Sequence, residues 1–172
     1  MASDLAAWIR DVADFPTPGI SFKDITPLLA DPRAFEAAVE ALALGLPAGS
    51  VDKVVGIEAR GFILGAPVAL RLNAGFVPVR KQGKLPGASF SAAYELEYGA
   101  AVLEVQTDAV ATGDRVLIVD DVLATGGTVA ATVGLVEQTG GSVVAVSVLL
   151  ELLALGGRTR LGEVLVHSVL TS

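Results

Sequence analysis

The sequence contains no cysteine, and it has fewer basic than acidic residues. The lack of cysteine excludes disulfides, thiolate zinc sites and cysteine nucleophiles, and it is consistent with a reducing compartment. Twelve basic residues against 19 acidic ones give a net charge of -7. That charge has the wrong sign for a protein held mainly by nucleic-acid phosphates, so we expect no nonspecific binding of DNA or RNA.

Long apolar runs are missing as well, although the mean hydropathy is +0.63. Uncharged segments such as residues 143–150 are too short to cross about 30 Å of hydrocarbon, and we interpret them as buried elements. Near the amino terminus, Asp4, Arg10 and Asp11 interrupt the apolar stretch that a signal peptide needs. We therefore expect a cytoplasmic protein that does not associate with membranes.

The 172 residues, 52% of them hydrophobic, are enough for one sizeable core, and we predict a single domain over residues 1–172. Predicted strands and helices alternate along the chain. The strands lie at residues 51–57, 75–80, 116–120 and 142–150, and the helices at residues 32–44, 62–72 and 127–138. This alternation predicts an α/β fold with a mainly parallel sheet flanked by helices.

Two segments depart from that alternation. Residues 3–13 predict a short helix, because Leu5, Trp8, Ile9 and Val12 share one helical face. Residues 81–105 alternate in polarity and contain scattered glycines, which indicates a long hairpin-like excursion. Since long loops in compact domains often cover active sites, we predict that residues 81–98 form a mobile loop.

The most informative stretch is VLIVDDVLATGGT, residues 116–128. Open α/β sheets bind ligands at the carboxyl ends of their strands, and Ala124 to Thr128 follow such a strand and precede a helix. Gly126 and Gly127 let the backbone approach an anion, and the hydroxyls of Thr125 and Thr128 can donate to its oxygens. The stretch lacks the lysine of GxxxxGK[ST] and the spacing of GxGxxG, so it predicts a site for one terminal monophosphate.

Two adjacent acids, Asp120 and Asp121, stand a loop's length before that phosphate site. Their carboxylates can accept hydrogen bonds from ribose hydroxyls, or they can act through a magnesium ion. The whole stretch therefore predicts a cradle for ribose 5-phosphate. A response-regulator receiver also has an acidic pair after a strand, but too little chain follows Asp121 here to complete that fold.

VLIVDDVLATGGT resembles the 5-phosphoribosyl 1-pyrophosphate (PRPP) signature of type I phosphoribosyltransferases. Further segments resemble the adenine-specific members of that family in order and spacing: FPTPGISFKDITPLL, GIEARGFILG, VRKQGKLPG and YELEYGAAVLEVQTDA. The resemblance covers residues 12–161. It implies a type I phosphoribosyltransferase fold, with a twisted sheet, a small base-binding hood at residues 1–30 and a flexible loop. It also implies a homodimer that converts adenine and PRPP into AMP and pyrophosphate in purine salvage, with Mg2+.

The resemblance assigns a role to individual residues. The positions implied to contact PRPP or pyrophosphate are Arg60, Arg80, Lys81 and Lys84, in addition to Asp120, Asp121 and Ala124, Thr125, Gly126, Gly127 and Thr128. Phe22 would lie against the adenine ring, with the backbone of Ser21 and Lys23 at its edge, although Phe22 could also be a core residue. The family more often has arginine where this chain has Lys23. Glu97 would accept the ring proton, Tyr98 would close the site, and the Glu58–Ala59 peptide would be cis.

Two other functions fit parts of the sequence. A phosphoribosyltransferase acting on xanthine or another purine would share most of these motifs. A PRPP-sensing regulator would keep the ribose 5-phosphate cradle without catalysis. Such regulators usually carry an additional DNA-binding region, for which this chain has neither spare length nor a basic helix.

Overall fold

The computed structural model describes residues 5–43, 45–95 and 100–172. The strands are β1 (Arg10–Val12), β2 (Phe22–Asp24), β3 (Lys53–Ile57), β4 (Gly75–Lys81), β5 (Ser89–Glu95), β6 (Ala100–Gln106), β7 (Arg115–Leu123), β8 (Ser142–Glu151) and β9 (Val166–Thr171). The α-helices are α1 (Thr26–Ala30), α2 (Pro32–Leu42), α3 (Arg60–Leu72) and α4 (Gly127–Thr139). Short 3₁₀ turns occupy Ala6–Trp8, Leu153–Leu155 and Gly157–Leu161.

Seven strands form one sheet in the order β5-β6-β4-β3-β7-β8-β9. The five strands β4, β3, β7, β8 and β9 are parallel to one another, while β6 runs antiparallel to both β4 and β5. The mainly parallel α/β sheet predicted from the alternation of strands and helices is thus confirmed. The antiparallel hairpin of β5 and β6 extends one edge.

The sheet is covered on both faces, and each face has its own apolar cluster. Successive residues of β7 divide between them: Leu117 belongs to the cluster that contains residues of α2 and α3, and Ile118 to the cluster that contains residues of α4. Because side chains alternate along a strand, burial of both faces requires continuous apolar runs such as the one in β7. Among the described residues, no helix has the length and hydropathy that a membrane crossing requires.

Local sequence explains where two of the helices begin. The Asp31 carboxylate caps α2 by accepting hydrogen bonds from the backbone N–H groups of Arg33 and Ala34 at 3.0 and 2.9 Å, and proline follows it at the first helical position. Helix α4 begins after Gly126, whose φ of 81° favours glycine, and no side chain caps it. The first N–H groups of α4 are therefore left without a capping side chain.

The predicted helix at residues 3–13 is wrong. Within the described part of that range, from residue 5 on, Ala6–Trp8 makes a 3₁₀ turn, and Arg10–Val12 forms β1, which pairs antiparallel with β2. Across this pair, Arg10 Nε donates to Asp24 at 3.1 Å and Lys23 Nζ lies 2.6 Å from Asp11. The helical spacing of the apolar residues could not reveal a partner strand ten residues further along the chain, and pairing with that strand overrides it.

The hairpin-like excursion predicted at residues 81–105 is present. Strands β5 and β6 pair from Ser89 opposite Gln106 to Glu95 opposite Ala100. The range predicted to be a mobile loop, residues 81–98, therefore contains the whole of β5. Glu97 and Tyr98, predicted for catalysis and closure, lie outside the described residues.

Candidate active site

The carboxyl ends of three adjacent parallel strands bring the predicted ligand-binding residues together. In the sheet, β3 lies between β4 and β7. Strand β4 ends with Arg80 and Lys81, Glu58 directly follows β3, and β7 carries Asp120 and Asp121 near its end. Charged groups that are far apart in sequence thus meet at one sheet edge, where α/β folds bind their ligands.

The residues Ala124–Thr128, named here the glycine turn, connect β7 to α4. Together with Val122, Leu123 and Val129 they line a cavity of about 60 Å³. The backbone amides at the start of α4 face no capping side chain, and the positive end of the helix dipole adds to their attraction for an anion. The cavity is small, and its size and donors suit a single phosphate group.

Asp120 and Asp121, the acid pair, are buried, with 8% and 5% of their surface exposed. The backbone N–H of Asp121 donates to Asp120 Oδ1 at 2.9 Å. Asp121 Oδ2 lies 2.9 Å from Arg60 Nε but accepts no aligned hydrogen bond from the described residues. Burial, and then the neighbouring charge of Asp121, raise the pKa of Asp120 well above its ordinary value. A buried carboxylate that lacks hydrogen-bond donors in the protein can accept hydrogen bonds from a bound molecule.

Arg60, at the start of α3, links the acid pair to the amino-terminal hairpin, which is the antiparallel pair of β1 and β2. Its guanidinium carbon lies 4.9 Å from the centroid of the Phe22 ring, a distance that allows a cation–π contact. The ring of Phe15 meets Phe22 edge-on at 5.1 Å. Phe22 is only partly buried and belongs to neither apolar cluster, which favours a ring available to a ligand over a core residue.

Glu58 contacts three basic residues, named here the basic cluster: Arg80 and Lys84 through their side chains and Lys81 through its backbone. The Glu58 carboxylate accepts hydrogen bonds from Lys84 Nζ at 2.6 Å, the Lys81 backbone N–H at 3.0 Å and Arg80 Nε at 3.2 Å. Burial raises the pKa of Glu58, but these three donors outweigh burial and hold the pKa below its ordinary value. The Glu58–Ala59 peptide is cis, as the family resemblance implied.

The role of Glu58 in this cluster was missed from sequence. The signal was its position directly after β3, where the basic end of β4 must lie beside it in a parallel sheet. Val122 was missed too, although it follows the acid pair and lines the cavity of the glycine turn. The turn at Gly157–Leu161 was the third omission. A Cβ on Gly126 would overlap the carbonyl oxygen of Gly157, so the two backbones are in close contact.

On the side of the amino-terminal hairpin, Ser21 is exposed and the Lys23 side chain is engaged by Asp11. Lys23 is also paired with Asp11 in the β1–β2 ladder, and its main-chain contact with a base stays a prediction. His167, the single histidine, places Nε2 3.1 Å from the Ala41 carbonyl oxygen at the end of α2. That contact fits a structural histidine.

Mg2+ fits this donor set as an ion that takes some of its ligands from the protein and the others from a substrate. Among the described residues, no group of three or more histidine, cysteine or acidic side chains could enclose a metal ion. The acid pair offers carboxylate oxygens, which Mg2+ prefers, and Mg2+ commonly completes its coordination with water and substrate phosphates. Asp121 Oδ2, buried and without an aligned donor, is the oxygen best placed to contribute.

Comparison with known proteins agrees with this arrangement. Residues 29–161 match the phosphoribosyl transferase domain family. An adenine phosphoribosyltransferase from Acidothermus cellulolyticus is 60% identical over 166 residues, which cover 96% of this chain and 94% of that protein. The chain belongs to the adenine phosphoribosyltransferase family. The membership predicted from the motifs is thereby confirmed.

Solved structures of adenine phosphoribosyltransferases share the fold along nearly the whole chain. The crystal structure from Rhodothermus marinus is 53% identical, with a TM-score of 0.95 over 99% of this chain and 98% of that chain. The Saccharomyces cerevisiae enzyme, solved with adenine and D-2,5-dideoxy-2,5-imino-altritol 1,6-bisphosphate, is 41% identical, with a TM-score of 0.92 over 98% of this chain and 97% of that one. These structures confirm the predicted type I phosphoribosyltransferase fold.

Proposed function

We propose that this chain transfers the 5-phosphoribosyl group of PRPP to adenine and releases AMP and pyrophosphate. The observation that carries the proposal is the buried Asp121 oxygen without an aligned donor, one turn away from the uncapped amino end of α4. This arrangement fits a molecule that carries hydroxyl donors and a phosphate a few bonds apart, and ribose 5-phosphate has both. The adenine phosphoribosyltransferases that match the chain at about 60% identity support adenine as the base.

In this proposal the two ends of the sugar are held separately. The 5-phosphate accepts hydrogen bonds from the amides of the glycine turn and from the hydroxyls of Thr125 and Thr128. The ribose hydroxyls donate to Asp120 and Asp121. The acid pair would also hold Mg2+, directly or through water, and the ion supplies charge neutralisation to the pyrophosphate.

Departure of pyrophosphate breaks the bond between the ribose C1 carbon and the pyrophosphate oxygen, and the electron pair stays with the oxygen. The negative charge that develops there is stabilised by the cations at the same edge, Arg60, Arg80, Lys81 and Lys84. Arg80 and Lys84 are already oriented by hydrogen bonds to Glu58, so little reorganisation is required when the charge develops.

The adenine ring would lie against Phe22, with the backbone of Ser21 and Lys23 at its edge. As N9 of adenine forms its bond to C1, it loses a proton, which passes to the Glu97 carboxylate in our proposal. Tyr98 and the rest of residues 81–98 would then exclude water from the oxocarbenium-like ribose. Because pyrophosphate leaves as an anion and adenine loses one proton, the reaction is balanced without a redox partner.

The cellular setting follows from the same family membership. We propose a cytoplasmic homodimer of single-domain chains that acts in purine salvage, with small molecules as its ligands and neither nucleic acid nor membrane as a partner. The net charge of -7 supports the lack of a nucleic-acid partner. On α3, Ile63 and Leu70 are 44% and 83% exposed and offer apolar surface for a second copy.

An assay of nucleotide formation tests the proposal. The purified protein is incubated with PRPP and adenine, hypoxanthine, guanine or xanthine, with and without Mg2+. We expect AMP from adenine, only in the presence of Mg2+, and no comparable product from the other bases. Efficient product from xanthine would identify the other purine specificity. PRPP binding without AMP formation would favour the regulator, and failure to bind PRPP would contradict both.

Replacement of the proposed proton acceptor separates binding from chemistry. Glu97→Gln should slow turnover about 100-fold, because a general base contributes roughly 10²- to 10⁴-fold to a rate, while PRPP affinity changes little. Glu36→Gln, at an exposed position of α2, is the matched control and should behave as wild type. Single-turnover kinetics and calorimetric PRPP titration give the two quantities. Unchanged turnover in Glu97→Gln would remove Glu97 from the mechanism.

A further inference from the structure

An ion pair between a buried glutamate and a half-exposed arginine lies beside the glycine turn and has no part in the proposed mechanism. Glu151 is the last residue of β8, is 3% exposed, and stands opposite Leu123 of β7 in the sheet. Arg158 donates from Nε to Glu151 Oε1 at 3.0 Å and from Nη2 to Oε2, and its Nη1 donates to the Val166 carbonyl oxygen at 2.8 Å. Ser168 Oγ completes the network by donating to Glu151 Oε2 at 2.6 Å.

In the folded protein Glu151 and Arg158 each favour the charged form of the other. The hydrogen bonds from Arg158 lower the pKa of Glu151, and those to Glu151 raise the pKa of Arg158. Bidentate pairing of a guanidinium with a carboxylate also fixes the relative orientation of the two groups. Arg158 is therefore held by Glu151 at the end of β8 and by the Val166 carbonyl oxygen at the start of β9, which restricts the backbone on either side of it.

Gly157, the residue before Arg158, forms one wall of the glycine turn. A Cβ on Gly157 would overlap the carbonyl oxygen of Ala124 and would lie 2.8 Å from the Gly126 nitrogen. A Cβ on Gly126 would in turn overlap the Gly157 carbonyl oxygen. The two backbone segments thus touch with no room for a side chain at either position. Any shift of Gly157 changes the space in which the glycine turn takes its conformation.

We propose that Glu151 and Arg158 are positioning residues for the 5-phosphate of PRPP. They hold Gly157 against the glycine turn, so that the amides of Gly126, Gly127 and Thr128 converge on one anion. This inference rests on the proposed function, because it requires that the glycine turn binds the 5-phosphate. An ion pair that only stabilised the fold would affect unfolding but would leave ligand affinity of the folded protein unchanged.

The test measures the two ends of the substrate separately. Calorimetric titrations with ribose 5-phosphate and with pyrophosphate, both in the presence of Mg2+, are compared for wild type, Glu151→Gln and Arg158→Gln, under conditions where circular dichroism shows folded protein. We expect the affinity of both variants for ribose 5-phosphate to fall about tenfold, the size of effect typical of residues that act through a neighbour. Pyrophosphate affinity should stay within about twofold, because the basic cluster lies at the ends of β3 and β4, which β7 separates from β8 and β9 in the sheet.

Further variants make the result specific. Arg71→Gln removes an exposed ion pair with Glu40 and should leave both affinities unchanged. The double variant Glu151→Gln/Arg158→Gln should lose no more ribose 5-phosphate affinity than the single variant that binds less tightly, because the two residues act as one unit. If Arg158→Gln does not fold, Arg158→Lys, which keeps the charge and loses the bidentate geometry, should show the same selective loss.

The outcomes distinguish this inference from the function on which it rests. Folded variants that bind ribose 5-phosphate as tightly as wild type would overturn the positioning role, whatever their stability. An equal loss of ribose 5-phosphate and pyrophosphate affinity would also overturn it, because that result indicates a general disturbance of the fold. If wild type itself binds no ribose 5-phosphate, the proposed phosphate site is wrong.

Discussion

Two carboxylate sites at the same sheet edge differ in how completely they are satisfied. Glu58, after β3, accepts hydrogen bonds from three donors, whereas Asp121 Oδ2, on β7, accepts no aligned hydrogen bond from the described residues. Their surroundings shift pKa values in opposite directions, downward for Glu58 and upward for Asp120 beside Asp121. A satisfied carboxylate organises the groups around it. An unsatisfied one destabilises the ligand-free protein and is suited to receive a ligand.

The neighbouring strands account for the difference. Glu58 lies next to the end of β4, where Arg80 and Lys81 are consecutive and Lys84 follows closely. The acid pair is on β7, which lies between β3 and β8 in the sheet. Among the described residues, Arg60 is the one cation within ion-pair distance of the acid pair. Proteins commonly retain such costly arrangements at functional sites. The following variants test whether the two sites differ as described.

The largest effect is expected from Asp121→Asn. Loss of the charge that accepts the ribose hydroxyls should lower kcat/KM for PRPP by about 100-fold, because a hydrogen bond to a charged group contributes roughly 1.5–3 kcal/mol. Asp52→Asn is the matched control, because Asp52 is paired with Arg115 and lies directly before β3, at the amino ends of the parallel strands. Steady-state kinetics with varied PRPP measure the change. Wild-type PRPP affinity and turnover in Asp121→Asn would show that the sugar contact is misassigned.

Glu58→Gln should reduce stability. The substitution weakens three hydrogen bonds to a side chain that is only 9% exposed, and it leaves Arg80 and Lys84 without their counterion. We expect the free energy of unfolding to fall by about 1–2 kcal/mol. Urea unfolding monitored by circular dichroism measures it. A variant as stable as wild type would mean that Glu58 does not organise the basic cluster.

Asp120→Asn should raise the free energy of unfolding, whereas Glu58→Gln should lower it. The amide keeps an oxygen that can accept the hydrogen bond from the Asp121 backbone, while the buried charge and its repulsion by Asp121 are removed. We expect a gain of about 1 kcal/mol in the free energy of unfolding of the ligand-free protein, together with weaker PRPP binding. The same urea experiment serves for both variants. A loss of stability would contradict the contrast between the two sites.

The smallest expected effect is the pH dependence of the Glu58 contribution. A pKa lowered in the folded state gives stability that is present above the unfolded value, about 4.3, and is lost as the pH falls through the folded value. The difference in unfolding free energy between wild type and Glu58→Gln should therefore shrink between about pH 6 and about pH 3. A difference that grows on acidification would reverse the assigned direction of the pKa shift.

How far sequence predicts this protein depends on the range of the interactions involved. The acid pair and glycine turn are contiguous in VLIVDDVLATGGT, and the structure places them at a strand end followed by a helix, as predicted. The amino-terminal segment was mispredicted because β1 is determined by pairing with β2 rather than by its own periodicity. Functional roles for Ser21, Lys23 and Glu97 remain predictions from family resemblance.

The sequence by itself determined the alternation of apolar strands and helices, the position of the phosphate-binding motif and membership of the adenine phosphoribosyltransferase family, because each depends on residues close together in the chain. Tertiary structure alone decided that Glu58 meets Lys84, that Arg60 lies between Phe22 and Asp121, and that Arg158 pairs with Glu151 beside the glycine turn. Those contacts depend on strand order, register and loop packing, which bring together residues from 7 to 61 positions apart. No local pattern specifies such distances.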